Sequence, residues 1–403
     1  MSTLITNIGE LMTQDLERRV LRDAAMVLDG ERIAWIGQAP QAPAADQAVD
    51  AGGRTALPGW VDSHTHLIFA GDRTAEFTAR MAGEHYSAGG IGTSTEATRA
   101  TADFDLTRLA LGRVNEAVSQ GTTFLETKTG YGLTIDDEAR SARIASTVAD
   151  AVTFLGAHLV PAGSDADDYV DLVCGPMLTA VRPYVQWADV FCEQGAFSPE
   201  QSRAVLLACR DAGLGLRVHG NQLGHGQGIA LAAELGAASV DHVNFTSTSD
   251  LTTLAQTWSG WDSATGTGTR GTVATCLPAC DLSTRAPLAP ARELVDAGVQ
   301  IALASNCNPG TSYTTSMAFC VATAVLQMGL SVHEAVRAAT YGGALALHRE
   351  TGSDSDGDRA VGSLAVGHRA DVHLLNAPSA THLAYRPGMP LTFAVWRAGV
   401  RKR

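Results

Sequence analysis

Trp60-Val61-Asp62-Ser63-His64-Thr65-His66 decides how the rest of the chain is read. It follows Leu57-Pro58-Gly59 and runs into the apolar Leu67-Ile68-Phe69. Alternate side chains of a β-strand share one face, so on a strand His64 and His66 project the same way. Two imidazoles so placed suit one Zn²⁺-type ion. Taken alone, a His-x-His pair is more often a pair of surface or satisfied histidines than a metal site. The chemistry at equivalent points further along the chain favours the metal.

From Gly59 onward, strand-like and helix-like segments alternate. The strand candidates are 60–66, 121–128, 151–157, 188–192, 214–219, 238–242, 272–277 and 299–305. Helical segments at 106–119, 135–148, 199–212, 229–235 and 290–297 separate most of them. This pattern predicts an α/β fold, a (β/α)8 barrel, with chemistry at the C-terminal ends of the strands. The first strand ends in His64 and His66, and the second runs into Lys128 and Tyr131. The third leads to His158, the fourth ends in Glu193, the fifth in His219 and the sixth in His242. The eighth ends in Asn306, with Asn308 just beyond. Five of the 12 histidines thus fall at one predicted rim, where packing alone would favour apolar residues.

The two ends of the chain read as β structure. Leu4-Ile5-Thr6-Asn7-Ile8 is a strand candidate, and 25–28 and 33–36 flank a hairpin turn at Asp29-Gly30. The Pro/Ala/Gln-rich stretch 39–48 reads as loop. Ala370-Asp371-Val372-His373-Leu374-Leu375 is a strand, and 391–397 with 400–403 a second hairpin. The expected organisation is a small β-sandwich domain built from 1–57 and 360–403, beside a barrel of 58–359. The insertion 83–104, which holds Tyr86, reads as a substrate loop or lid. The Gly/Ser/Thr-rich 258–271 reads as a surface loop. Gly224-His225-Gly226-Gln227-Gly228 lacks the Lys-Ser/Thr of a phosphate cradle. Asp354-Ser355-Asp356-Gly357-Asp358 misplaces the glycine of a calcium loop and reads as a solvated linker.

A chain of 403 residues with 45% apolar and 18% charged residues can bury a large core. Its net charge of −13 argues against nucleic-acid and anionic-membrane partners. A small anionic substrate would need a local arginine. Seven scattered cysteines do not form a disulfide framework, which points to a reducing compartment. Cys276 and Cys280 read as structural. No signal-peptide pattern and no apolar run of membrane-spanning length is evident, so a soluble cytoplasmic protein is expected, assembled as a homodimer.

Several blocks together resemble the amidohydrolase superfamily and, within it, the imidazolonepropionases. They are His64-Thr65-His66-Leu67-Ile68-Phe69-Ala70-Gly71-Asp72-Arg73, Lys128-Thr129-Gly130-Tyr131-Gly132-Leu133, Phe154-Leu155-Gly156-Ala157-His158, Asp189-Val190-Phe191-Cys192-Glu193 and Ala304-Ser305-Asn306-Cys307-Asn308-Pro309-Gly310. His-x-His marks only the superfamily, whereas the blocks around Arg73 and Tyr131 are more specific. The resemblance implies one divalent or trivalent metal ion per chain, zinc or iron. It implies hydrolysis of a small carboxylate substrate, the cyclic amide 4-imidazolone-5-propanoate, to N-formimino-L-glutamate. It places His64, His66, His219 and Asn306 as metal ligands, and His242, with Gln222 and Asn306, at the catalytic positions. It places Arg73, Tyr86, Tyr131, His158, Asn308, Gly310 and Thr311 at substrate-contacting positions. Arg73 is a suitable fork for the propionate carboxylate.

Two positions depart from the family pattern. Gln222 stands where a glutamate is common, and Asn306 where the family has an aspartate that both ligates metal and accepts a proton. Neither amide can act as a base. An ordinary histidine pKa predicts loss of the ion near about pH 6. Two other readings stand beside a cyclic amidohydrolase. One is a barrel enzyme acting on another cyclic amide or an aromatic amine. The other is a non-catalytic relative that binds an imidazole-like acid.

Overall fold

The computed structural model describes residues 1–83, 90–352 and 359–403. Tyr86 and the Asp354–Asp358 run lie outside the described residues.

The first five strands are β1 (Ser2–Met12), β2 (Val20–Asp29), β3 (Arg32–Gln38), β4 (Gln47–Asp50) and β5 (Thr55–Pro58). The barrel then begins with β6 (Trp60–Asp62), β7 (Thr122–Lys128), β8 (Ala151–Ala157), β9 (Trp187–Cys192), β10 (Gly215–Gly220) and β11 (Ser239–His242). A two-stranded ribbon, β12 (Trp261–Asp262) and β13 (Thr267–Gly268), structures part of the stretch expected to be a plain loop. The barrel resumes with β14 (Val273–Cys276) and β15 (Ile301–Leu303). The chain returns to the first sheet with β16 (Val372–Leu375), β17 (Thr392–Arg397) and β18 (Val400–Arg401).

Strands β6 to β11, β14 and β15 form one parallel sheet in chain order, the (β/α)8 barrel. Strands β7, β8 and β9 are buried along their whole length, as expected when the barrel interior covers one face and helices the other. The outer helices enter through side-chain caps. Thr134 accepts from the backbone of Asp137, and Ser198 forms a reciprocal capping box with Gln201. The seam between the first and last barrel strands closes beyond their ends. Asn306 N donates to His64 O at 3.0 Å and His66 N to Cys307 O at 2.9 Å. Asp62 completes the seam by accepting from Ser305 N and Oγ. Thus His64 and His66 lie past β6, in register with Asn306.

The segments at the chain ends form one hydrogen-bonded sheet of eight strands, with β5 pairing both β1 and β16. Residues from both halves, Ile5 and Met26 with Val372 and Trp396, meet in one core. The expected turn is present: Leu28 pairs Ile33, and Gly30 takes φ +56°, a value glycine adopts at no steric cost. Part of 39–48, expected as loop, forms a short helical turn, Ala39–Gln41, and leads into β4.

The insertion 83–104 also differs from expectation. Ile91–Ala100 is a helix, preceded by the helix Thr74–Met81. It holds because Ile91, Ser94, Thr95 and Thr98 are buried, so tertiary packing outweighs a Thr/Ser-rich composition. All seven cysteines are free thiols. No helix among the described residues is long and apolar enough to cross a membrane.

Candidate metal centre

At the C-terminal rim, His64, His219 and His242 each offer a ring nitrogen, and the three atoms lie within 4.8 Å of one another. All three are buried. His66 stands to one side, with its ring centroid 5.3 Å from His64 and 5.5 Å from His219. It stacks on His158 at 5.7 Å and 21°. His242 takes φ +84° and the β-branched Val243 after it φ +52°. Backbone held in this region is costly, and such positions gather at functional sites.

Beneath the histidines lies a layer of buried charge. Lys128, expected at the rim, is fully buried. Its Nζ is 3.0 Å from Glu126 Oε1, 3.0 Å from Asp189 Oδ2 and 3.9 Å from Asp241 Oδ2. Arg217 donates to Asp241 Oδ2 at 3.2 Å and to Ser63 O at 2.8 Å. Burial pushes the Asp241 carboxyl up, but Arg217, His64 and Lys128 outweigh it and hold the group well below the usual carboxylate range. Asp189 is likewise held down by His219 and Lys128 against burial. An ionised Asp241 accepts from His64 Nδ1 at 2.7 Å, which leaves the lone pair on His64 Nε2. Asp189 Oδ2 lies 3.0 Å from His219 Nδ1, a charged contact without the aligned hydrogen bond that Asp241 makes to His64. Neither aspartate was assigned a role from sequence. Their position on β9 and β11, directly behind the histidines, was the available signal.

The donor set fits a metal ion. His64 Nε2, His66 Nδ1, His242 Nδ1 and Asn306 Oδ1 are buried and make no hydrogen bond among the described residues. Buried lone pairs without a partner are costly, and a cation relieves them. Burial holds His64, His66 and His242 well below the usual histidine value of 6.5, with Lys128 adding to the effect at His64. A lowered pKa keeps each imidazole neutral and ligand-ready until the pH falls through the lowered value. Ion retention, followed by metal analysis after equilibration between about pH 4 and 7, should therefore reach its midpoint clearly below 6.5. A midpoint near about pH 6, where an ordinary histidine pKa would put it, or above that value would contradict the burial argument.

The other expected residues can be placed one by one. His66, Arg73, Tyr131, His158, His219, Gln222, His242, Asn306, Asn308 and Thr311 line one cavity, joined by Ile91 and Phe191, which carried no motif signal. Arg73 donates from Nε and Nη2 to Glu76, each at 2.8 Å. Gly310 forms the seat of that guanidinium, since a Cβ there would stand 2.2 Å from Arg73 Nη1. Its carbonyl accepts from Arg80 at 2.7 Å. Asn308 shapes its own turn: Oδ1 accepts from Gly310 N and Thr311 N, and Nδ2 donates to Asn306 O. His158 Nδ1 donates to Gly130 O at 2.8 Å, which leaves Nε2 as an acceptor. Burial pushes its pKa down to about 4. Tyr131 is carried by a loop whose backbone N–H groups at Gly130, Gly132 and Leu133 converge on the buried Glu138. Glu193 accepts from Gln222 N and Leu223 N and so holds the Gln222 loop. Burial raises the Glu193 carboxyl to about 6.

No family model matches the chain. Among curated proteins it is 79% identical over 403 residues to the imidazolonepropionase of Arthrobacter sp. (strain FB24), covering 100% of both chains. It is 65% identical over 405 residues to that of Micrococcus luteus, covering 99% of each, and 51% identical over 410 residues to that of Streptomyces coelicolor, covering 100% of this chain and 99% of the other. Among solved structures, a triazine hydrolase from Arthrobacter aurescens matches with a TM-score of 0.73 at 18% identity, covering 100% of this chain and 95% of that one. An ochratoxinase from A. niger matches at 0.68 and 20% identity, covering 99% and 94%. These two share the fold. The likeness to the curated relatives runs the full length of the chain at high identity, and the chain belongs to the imidazolonepropionase family.

Proposed function

We propose that the protein opens the cyclic amide of 4-imidazolone-5-propanoate with water, giving N-formimino-L-glutamate, and that zinc or iron is the ion held by His64, His219 and the neighbouring His66 and Asn306. The observation that carries the reading is the joining of a buried histidine cluster and a buried arginine in one cavity, in a chain of this family. Bound there, the ion would lower the pKa of a water toward neutrality and polarise the ring carbonyl. His242 would take the proton of that water, a reading supported by its lowered pKa and by an Nδ1 without a partner among the described residues. It would return that proton to the ring nitrogen as the C–N bond breaks. Gln222 and Asn306 can orient water and ligand through their amide oxygens but can hold no proton. His158 offers Nε2 to a ring N–H of the substrate. Arg73, braced by Glu76, offers the propionate its remaining donor edge. The test is turnover of fresh 4-imidazolone-5-propanoate with metal content measured on the same preparation. Metal-loaded protein that binds the acid without turnover would favour a non-catalytic relative, for which the paired amides argue.

Arg73→Ala should weaken binding of carboxylate-bearing analogues by about 2–4 kcal/mol, or roughly thirty- to a thousandfold. Analogues without the carboxylate should change little, and Arg73→Lys should recover part of the loss, because the planar fork is gone. Inhibition constants for matched pairs of analogues measure this. Equal losses for both would assign Arg73 to packing against Glu76 and Gly310.

A further inference from the structure

One carboxylate, Glu76, lies between two guanidiniums beside the cavity. Arg73 precedes the helix Thr74–Met81, and Glu76 and Arg80 follow at spacings of three and four residues, so the three side chains share one face. Both arginines are buried, and the Glu76 side chain is partly exposed. Glu76 Oε1 accepts from Arg73 Nη2 at 2.8 Å and from Arg80 Nη1 at 3.1 Å, while Oε2 accepts from Arg73 Nε at 2.8 Å. Backbone packs directly on this group, since a Cβ at Gly90 would stand 2.2 Å from both Arg73 Nη2 and Glu76 Oε2. An Arg73–Glu76 pair by itself is neutral. A propionate approaching it would meet a guanidinium already matched by one carboxylate, with a like charge close behind. Arg80 changes that sum. Two guanidiniums around one carboxylate keep a net positive charge, which a single substrate carboxylate would bring to zero.

We propose that Arg80 is a positioning residue that sets the preference for a carboxylate: it offsets the charge of Glu76 and so leaves Arg73 a net cation toward the substrate. Glu76 fixes which edge Arg73 offers, and Arg80 removes the electrostatic cost of that bracing. The inference rests on the function proposed above and deepens the part Arg73 plays in it. The rival is a purely structural tie, because Arg80 Nη2 also donates to Gly310 O at 2.7 Å and so pins the helix to the loop after β15.

The experiment is calorimetric binding of hydantoin-5-propanoate and 5-propylhydantoin to the Zn²⁺-loaded chain. The two probes share a five-membered cyclic amide and differ in the carboxylate. Arg80→Met and Arg80→Gln should each raise the Kd of the propanoate about tenfold and leave that of the propyl compound within about twofold. Arg80→Lys keeps the charge and should recover most of the loss. Arg80→Gln keeps an N–H donor for Gly310 O, and it carries the test if Arg80→Met fails to fold. With Glu76→Gln present, the effect of Arg80→Gln should shrink to about twofold or less, because no charge is left to offset. Equal losses for the two probes, or equal losses with Glu76 and with Gln at that position, would overturn the proposal in favour of the structural tie. Wild type that binds both probes with the same Kd would bring down the proposed carboxylate role of Arg73 as well. Wild type that prefers the propanoate by a margin unchanged in Arg80→Gln would overturn this inference alone.

Discussion

Asn306→Asp is expected to raise kcat on the imidazolone by at least about a hundredfold. The substitution changes almost no volume, and Asp tolerates the φ of +51° that Asn306 adopts nearly as well as Asn does. It replaces a buried amide oxygen that has no partner among the described residues with a carboxylate among the histidines. A carboxylate there can accept the proton of the attacking water, and general-base assistance is worth about 10²–10⁴-fold, or roughly 3–5 kcal/mol of barrier. The added charge also has an electrostatic consequence. Among the described residues, the lysine and arginine paired with Glu126, Asp189 and Asp241 in the layer below are Lys128 and Arg217, two cations for three carboxylates. A further buried anion is therefore unfavourable without the ion and favourable with it, so Asn306→Asp should tighten metal binding as it lowers the stability of the metal-free chain. Steady-state rates on both metal-loaded proteins decide the matter. Comparable kcat values would mean that His242 alone handles the proton and that Asn306 is a sufficient ligand.

Lys128→Met should cost the metal-free protein about 3–5 kcal/mol of folding stability, and the metal-loaded protein distinctly less. Removing one partner from a buried ionic cluster leaves the others desolvated and uncompensated, which costs far more than the pair is worth against an apolar replacement. Here the abandoned groups are Glu126 and Asp189, each 3.0 Å from the missing ammonium. Methionine keeps the side chain up to the position of Cε and omits only the ammonium, so the loss reports chiefly charge rather than a cavity. A divalent ion held by His64 and His219, whose rings meet Asp241 and Asp189, would supply positive charge to this layer, which gives the difference between the two states. Urea denaturation with and without Zn²⁺ measures both. A loss below about 1 kcal/mol in each would show that the layer relaxes by taking up protons.

The barrel was legible because its strands are buried on both faces and read as apolar runs with sharp ends. Ala151–Ala157 was delimited to the residue, between Asp150 and His158. The cavity was legible where a side chain ends a strand, as at His219 and His242. Burial of charge was not legible. Lys128 closes a strand and so reads as a rim lysine, because Glu126 on the same strand is only one of the carboxylates around it and the others, Asp189 and Asp241, stand on other strands. Division of labour among the histidines was also hidden. Spacing groups His64 with His66, whereas the folded rim draws His64 toward His219 and His242. Gly310 and Asn308 were expected at the ligand, and their local geometry builds the loop that seats Arg73. The short helix at Ile91–Ala100 depends on what covers it, which composition cannot report.

The pairing of β5 with β16 has a consequence for how the protein is made. Leu57 faces His373 across that ladder, so the N-terminal sheet cannot be completed until the whole barrel has been synthesised. At 5–20 residues per second the ribosome needs roughly 15 to 60 s to deliver the second partner. During that interval β5, buried along its length in the finished fold, presents an unpaired edge on the nascent chain. Such a high contact order favours slow final closure and a chaperone-dependent window late in translation.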